Sequence, residues 1–301
     1  MASGSTPARE GSLIGGVIKA MRPHQWVKNG FVVAPLVFAK LVGDPAMMMR
    51  SFAAAVFFSF AASCIYLMND IADIEADRAH PKKRFRPIPS GRVPIKVARG
   101  VMVALALMAL AGAALLNWKT LATIGGYIAL QIAYTFRLKR VAYLDVLCIA
   151  AGFELRVLAG SFALDVTPSN YLLAVTALIS LFLGFGKRMH ELRQGKGATK
   201  QRSALGKYSE KSLTVLLQMT ALATTGTYVV YTLDPETRAF FGTDYLAGTI
   251  IFTEFGILRF LDLMRNQTDA ASPTEQMLKD WPFLLNLVAW AIAVVVVIYV
   301  T

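Results

Sequence analysis

Residues 66–94 read YLMNDIADIEADRAHPKKRFRPIPSGRVP. An apolar run enters this stretch and ends in Asp70, Asp73, Glu75 and Asp77, and a basic run of Lys82, Lys83, Arg84, Arg86 and Arg92 follows at once. Asn69, Asp73 and Asp77 are spaced four apart, and Asp70 stands three before Asp73 and seven before Asp77. On a helix of 3.6 residues per turn these four side chains share one face. Three carboxylates on one face repel one another unless a cation sits among them, and hard oxygen donors suit Mg²⁺ or Mn²⁺. Mg²⁺ takes one or two carboxylates and completes its shell with water and substrate phosphates. His80, Lys82, Lys83, Arg84, Arg86 and Arg92 are then placed to hold those phosphates, Arg being suited to bidentate contacts. Pro81, Pro87 and Pro89 stop the helix and turn the loop back. The stretch reads as a Mg²⁺-diphosphate site at a membrane surface. Topology alone also accounts for the basic residues, but acidic residues contribute little to topology, so the acidic stripe is the specific signal.

The rest of the chain explains why a membrane is invoked. Of 301 residues, 55% are hydrophobic and only 17% charged, too apolar for an ordinary soluble domain. Nine stretches approach the length needed to cross a bilayer: 26–42, 51–74, 96–117, 120–136, 141–164, 169–187, 212–232, 245–264 and 280–301. With the N-terminus inside, the inner connections and helix ends collect 26 of the 31 Lys and Arg, the bias that marks cytoplasmic loops. This accounts for much of the +12 net charge. It also argues against a nucleic-acid partner, because the basic residues flank membrane segments and do not form a soluble basic domain. Cys64 and Cys148 both lie in apolar runs and suggest neither a disulfide framework nor a Cys metal site. Residues 1–25 lack the continuous apolar core of a signal peptide. Residues 1–12 read as a disordered tail, 13–21 as a short interfacial helix, and 13–301 as one transmembrane domain.

Asn69-Asp70-x-x-Asp73-x-x-x-Asp77 followed by Arg84-x-Arg86-Pro87-Ile88 resembles the first aspartate-rich motif of the UbiA superfamily of intramembrane prenyltransferases. The resemblance spans nearly the whole chain. It implies an all-α integral membrane fold of nine transmembrane helices around a central cavity, with both motif-bearing loops on one side. It also implies a metal set of Asn69, Asp70, Asp73 and Asp77, with Asp73 and Asp77 essential to catalysis.

Prenyltransferases of that superfamily carry a second aspartate-rich motif on the sixth helix, binding further Mg²⁺ for a prenyl diphosphate. The corresponding stretch here, 181–194, is LFLGFGKRMHELRQ. One carboxylate remains, Glu191, with Lys187 one turn before it. A site that has exchanged a carboxylate for ammonium and guanidinium groups is expected to hold fewer metals and to contact phosphate directly. Lys187-Arg188-x-x-Glu191-Leu192, Arg22-Pro23-x-Gln25-Trp26-Val27-Lys28-Asn29 and His80-Pro81-x-Lys83-Arg84-Phe85-Arg86-Pro87 are similar to the phosphoribosyltransferase branch of the superfamily, which makes a lipid-linked ribose. Tyr134-x-Phe136-x-Leu138-Lys139 and Leu155-Arg156-x-x-Ala159-Gly160 extend the likeness. By that resemblance the donor is 5-phosphoribosyl 1-diphosphate and the acceptor a polyprenyl phosphate. Lys187 is then catalytic, and the substrate-binding set is Lys28, Asn29, Lys83, Arg84, Arg86, Tyr134, Lys139, Arg156, Lys187, Arg188 and Glu191.

Arg156 falls midway along an apolar helix, where an unpaired cation costs roughly 2.5 kcal/mol or more, so a phosphate-holding role is expected for it. Asp145 is expected as a polar wall residue. For Lys28 and Lys139, snorkelling to the membrane surface is an equal explanation. Two other functions compete. One is prenyl transfer from a polyprenyl diphosphate to an aromatic acceptor, against which the missing second carboxylate pair argues. The other is ion-coupled transport, against which the surface placement of the acids argues.

Overall fold

The computed structural model describes residues 12–193, 203–265, 276–277 and 279–300. The tail expected over 1–12 lies outside them apart from Ser12, whose Oγ accepts from Gly15 N at 3.1 Å and caps the first helix. Among the described residues every regular element is helical. The order is α1 (Leu13–Met21), a 3₁₀ segment Pro23–Asn29, α2 (Gly30–Phe38), α3 (Pro45–Ala72), α4 (Ile74–Ala79), α5 (Ile95–Leu116), α6 (Trp118–Phe136), α7 (Leu144–Ala163) and α8 (Asn170–Arg193). There follow a 3₁₀ turn Ser203–Lys207, α9 (Glu210–Leu233), α10 (Pro235–Phe241), α11 (Ile250–Arg265) and α12 (Trp281–Tyr299).

Each of the nine apolar stretches contains a helix, and six of the helices, α3, α5, α7, α8, α9 and α12, are long and apolar enough to cross a bilayer. The other three fall short for visible reasons. α2 has only nine residues and carries Pro35 inside it. α6 carries Lys119, Thr120, Thr123, Gln131 and Thr135, and α11 has 16 residues. α3 begins earlier than expected because Asp44 accepts from Ala46 N and Met47 N, with Pro45 in the first turn. Leu107, Leu115, Leu222, Ile251 and Leu285 are exposed, as side chains facing lipid should be, and the chain is an integral membrane protein.

The chain forms two compact units, one of Met1–Leu36, Asp44–Thr135 and Leu158–Val166, the other of Val37–Gly43, Phe136–Val157 and Thr167–Thr301. In the first, α3 lies along α5, and Cys64, Leu67, Ile88, Val93, Ala98 and Leu105 form a buried cluster. Ile88 and Val93 come from the loop after the acidic stretch, so this core anchors that loop. A Cβ on Gly160 would lie 1.9 Å from the Val32 carbonyl oxygen, so glycine is what lets α7 approach α2 there.

In the second unit α8 lies along α9. Phe182 and Phe260 pack at 4.7 Å between ring centroids, within a cluster that includes Phe185, Met189, Leu205, Tyr208 and Leu213. Leu205 and Tyr208 tie the segment before α9 onto the end of α8.

Candidate functional site

In the first unit the acidic stretch is not one continuous helix. α3 ends at Ala72, Asp73 leaves helical geometry at φ −99°, ψ 14°, and α4 starts at Ile74. Asp favours local non-helical conformations, and clustered carboxylates repel, so a break here follows from composition. Two backbone bonds, Asp73 N to Asn69 O at 2.9 Å and Asp77 N to Asp73 O at 2.8 Å, carry the chain across the break. Asp70 and Asp77 therefore still meet one cation. Arg86 Nη1 donates to Asp70 Oδ1 at 3.1 Å and to Asp77 Oδ2 at 2.7 Å, although the two carboxylate side chains are only 2% and 4% exposed. Lys83 Nζ lies 3.8 Å from Asp77 Oδ1. Asn69 Oδ1 accepts from Thr135 Oγ1 at 2.6 Å, and Asp73 is half-buried.

Arg22, which the sequence reading left out of the site, completes this cluster. It adopts a left-handed conformation, φ 55°, between α1 and the 3₁₀ segment. Its guanidinium lies over the Tyr66 ring at 5.1 Å and donates from Nη2 to Asp70 Oδ1 at 2.5 Å. Its signals in the sequence are its place at the head of the Arg22-Pro23-x-Gln25-Trp26 stretch and Pro23 after it, which stops α1 where Arg22 must turn.

Other members of the basic run are spent differently. Arg92 Nη2 donates to Ser12 O at 3.2 Å, away from the acids. His80 Nδ1 accepts from Lys82 N at 3.1 Å and Lys83 N at 3.3 Å, holding the turn Lys83–Phe85. Arg84 is exposed, 4.8 Å over the Phe85 ring. Lys28 is exposed, and Asn29 is buried with its Nδ2 donating to Ser59 Oγ at 2.8 Å. Tyr134 is half-buried at the end of α6.

Among the described residues no three or more His, Cys, Asp or Glu gather as a metal cage. Asp70 and Asp77 do converge on a single nitrogen of Arg86, which shows that both carboxylates can address one cation. That donor set fits Mg²⁺, for which two carboxylates plus phosphate and water suffice.

In the second unit the end of α8 forms a different arrangement. Arg188 is fully buried. Its Nη1 donates to Glu191 Oε2, and its Nε lies 3.4 Å from Asp145 Oδ2. Asp145, also fully buried, accepts on Oδ1 from Tyr208 Oη at 2.5 Å, and Tyr208 Oη accepts from Tyr143 N at 2.6 Å. Burial, with the hydrogen bond to Asp145, raises the Tyr208 phenol above its ordinary pKa and keeps it a donor. Lys187 and Lys139 are half-buried. Arg156 is buried within α7, donating from Nη1 to Gly152 O at 2.7 Å and lying 5.0 Å over the Phe153 ring. Tyr208 escaped the sequence reading because it lies beyond the helix that carries the motif.

The chain has relatives that match it over nearly its whole length. The decaprenyl-phosphate phosphoribosyltransferase of Corynebacterium glutamicum is 37% identical over 297 residues, covering 96% of this chain and 88% of that protein. Its namesake from Mycolicibacterium smegmatis is 35% identical, covering 93% and 91%. A solved structure of a UbiA homologue from Archaeoglobus fulgidus bound to DMAPP and Mg²⁺ superposes with a TM-score of 0.72, covering 95% of this chain and 99% of that one. At 16% identity it speaks for the fold alone. The model of the UbiA prenyltransferase family matches residues 30–287, and the chain belongs to that family.

Proposed function

We propose that this protein transfers 5-phosphoribose from phosphoribosyl diphosphate to a polyprenyl phosphate such as decaprenyl phosphate, releasing diphosphate. The observation that carries the reading is the near full-length similarity to decaprenyl-phosphate phosphoribosyltransferases. It is matched by a second motif in which Lys187 and Arg188 stand with a single carboxylate, Glu191.

In the reaction the bond from the ribose anomeric carbon to the diphosphate oxygen breaks, and its electron pair leaves with diphosphate. A lipid phosphate oxygen forms the new bond to that carbon. The lipid phosphate is already anionic at neutral pH, so no side chain need remove a proton. The demand falls on stabilising charge at the leaving group. Mg²⁺, or Mn²⁺ in its place, would be held by Asp70 and Asp77 with Asn69 and Asp73 beside them, and would supply that charge neutralisation. Arg86 and Lys83 already touch these acids and would bind the diphosphate oxygens, with Arg84 at the loop surface. In the second unit Lys187 would bind donor phosphate. In the first unit Lys28 would be a phosphate contact and Tyr134 a further polar one; in the second unit Lys139 and Arg156 would have the same roles. The charge bias of the loops supports a plasma-membrane protein with this chemistry facing the cytoplasm.

Calorimetry on the detergent-solubilised protein with Mg²⁺ tests the reading, using phosphoribosyl diphosphate and a prenyl diphosphate in parallel. Binding of the sugar donor with no prenylation of aromatic acceptors is expected. Prenylation of an aromatic acceptor, without binding of phosphoribosyl diphosphate, would overturn it.

A further inference from the structure

We infer that Arg188 is a built-in cation that takes the place of a metal at the end of α8, and that Asp145 and Tyr208 are the positioning residues that hold it there. This deepens the phosphoribosyltransferase reading and rests on it. The guanidinium reaches carboxylates from two helices, Glu191 one turn on along α8 and Asp145 in the first turn of α7. Asp145 Oδ1 accepts from the Tyr208 hydroxyl at 2.5 Å, and Oδ2 lies at ion-pair distance, 3.4 Å, from Arg188 Nε. Tyr208 is fixed in turn by the Tyr143 backbone N–H at 2.6 Å and by ring packing on Tyr143 at 4.8 Å. Asp145 and Arg188 are both without solvent exposure, so a hydrated divalent ion has no approach to this carboxylate. Lys187 adds a second positive charge on the same turn of α8. A cation entering here would meet a guanidinium and an ammonium before it met an uncommitted carboxylate.

The arrangement also separates two neighbours in the motif. Arg188 points into the protein and serves as an internal counter-charge. Lys187, half-buried, and Glu191, whose side chain is 22% exposed, are left as the motif's groups at the surface of the unit. A buried ion pair is a poor stabiliser compared with packed apolar groups, so a charged triad here is better explained by what it orients.

The test is Mn²⁺ binding to the full-length protein in detergent, counted by electron paramagnetic resonance with and without inorganic diphosphate. Glu191→Gln and Tyr208→Phe are expected to bind the same number of Mn²⁺ ions as the wild type, with affinities within about twofold. Asp70→Asn combined with Asp77→Asn is expected to abolish binding. Tyr208→Phe keeps the ring and removes only the hydroxyl, so a folded variant is expected; donor KM is expected to rise several-fold in it while lipid KM is unchanged. A purely structural role for Tyr208 would move neither KM. Loss of one bound Mn²⁺ in Glu191→Gln would overturn the inference, as would unchanged donor KM in Tyr208→Phe. Retained Mn²⁺ in the Asp70/Asp77 double variant would place a metal elsewhere and overturn it too. If the wild type bound Mn²⁺ and diphosphate as described but transferred no phosphoribose, the inference would stand, with donor affinity read by inorganic diphosphate, and the proposed substrate would fall.

Discussion

Replacing Arg86 by Met keeps an apolar stem of similar length and removes the one cation shared by Asp70 and Asp77. Both carboxylate oxygens lie within 3.1 Å of the same Arg86 nitrogen. They are therefore no more than about 6 Å apart, where two unit charges at an effective dielectric of about 20 repel by about 3 kcal/mol. Arg86 is one-third exposed and Arg22 remains on Asp70, so the net loss is reduced to about 2 kcal/mol. For a chain of 301 residues that lowers the melting temperature by about 3 °C. The same substitution frees both carboxylates for a divalent ion. Mg²⁺ is expected to bind the variant more tightly, by a factor of about 30 if the whole 2 kcal/mol is returned. Melting of wild type and variant in detergent, each with EDTA and with saturating Mg²⁺, reads both effects. A variant that melts with the wild type in EDTA, or gains no more from Mg²⁺ than the wild type does, would refute the shared-cation argument.

Three further outcomes follow from the geometry. Gly160→Ala places a Cβ against the Val32 carbonyl oxygen and is expected to cost about 3 kcal/mol or more, because backbone must move; a wild-type melting temperature would show that α7 and α2 are less tightly set. Lys187→Ala is expected to raise donor KM at least tenfold and leave lipid KM unchanged, measured by steady-state transfer with each substrate varied; equal effects on both would remove Lys187 from the donor. Asp280 caps α12 and accepts from Arg259 at 2.7 Å, and that hydrogen bond holds its carboxyl below the usual range. Its contribution is therefore present above the unfolded carboxylate pKa of about 3.9 and is lost as pH falls through the lower folded value. Asp280→Asn should melt below the wild type at neutral pH and converge with it under acid; a constant gap would contradict the pairing.

The helices and the acidic cluster were legible because both have local signatures, long apolar runs for the first and spaced carboxylates for the second. Leu155-Arg156-x-x-Ala159-Gly160 was legible only as a pattern; its glycine gains a reason from the Val32 carbonyl on another helix. What stayed hidden is non-local. Arg22 reaches Asp70 across 48 positions of chain, and nothing near either residue announces it. The break at Asp73 has its cause in the local run of carboxylates, but the i, i+4 spacing that continues through it reads as one unbroken helix. Arg188 and Lys187 are neighbours in sequence, and only Asp145 and Tyr208 decide that one turns inward. Asn29 looks like a motif polar group, yet its amide is placed on Ser59.

The most direct test of the account is transfer of label from the ribose of phosphoribosyl diphosphate into the lipid phase, using purified full-length protein, Mg²⁺ and a polyprenyl phosphate, with Asp77→Asn run alongside. EDTA-sensitive label in the lipid and diphosphate released in equal amount are expected from the wild type, and neither from Asp77→Asn. Folded wild-type protein that moves no label, or an Asp77→Asn variant that moves it at the wild-type rate, would contradict the account.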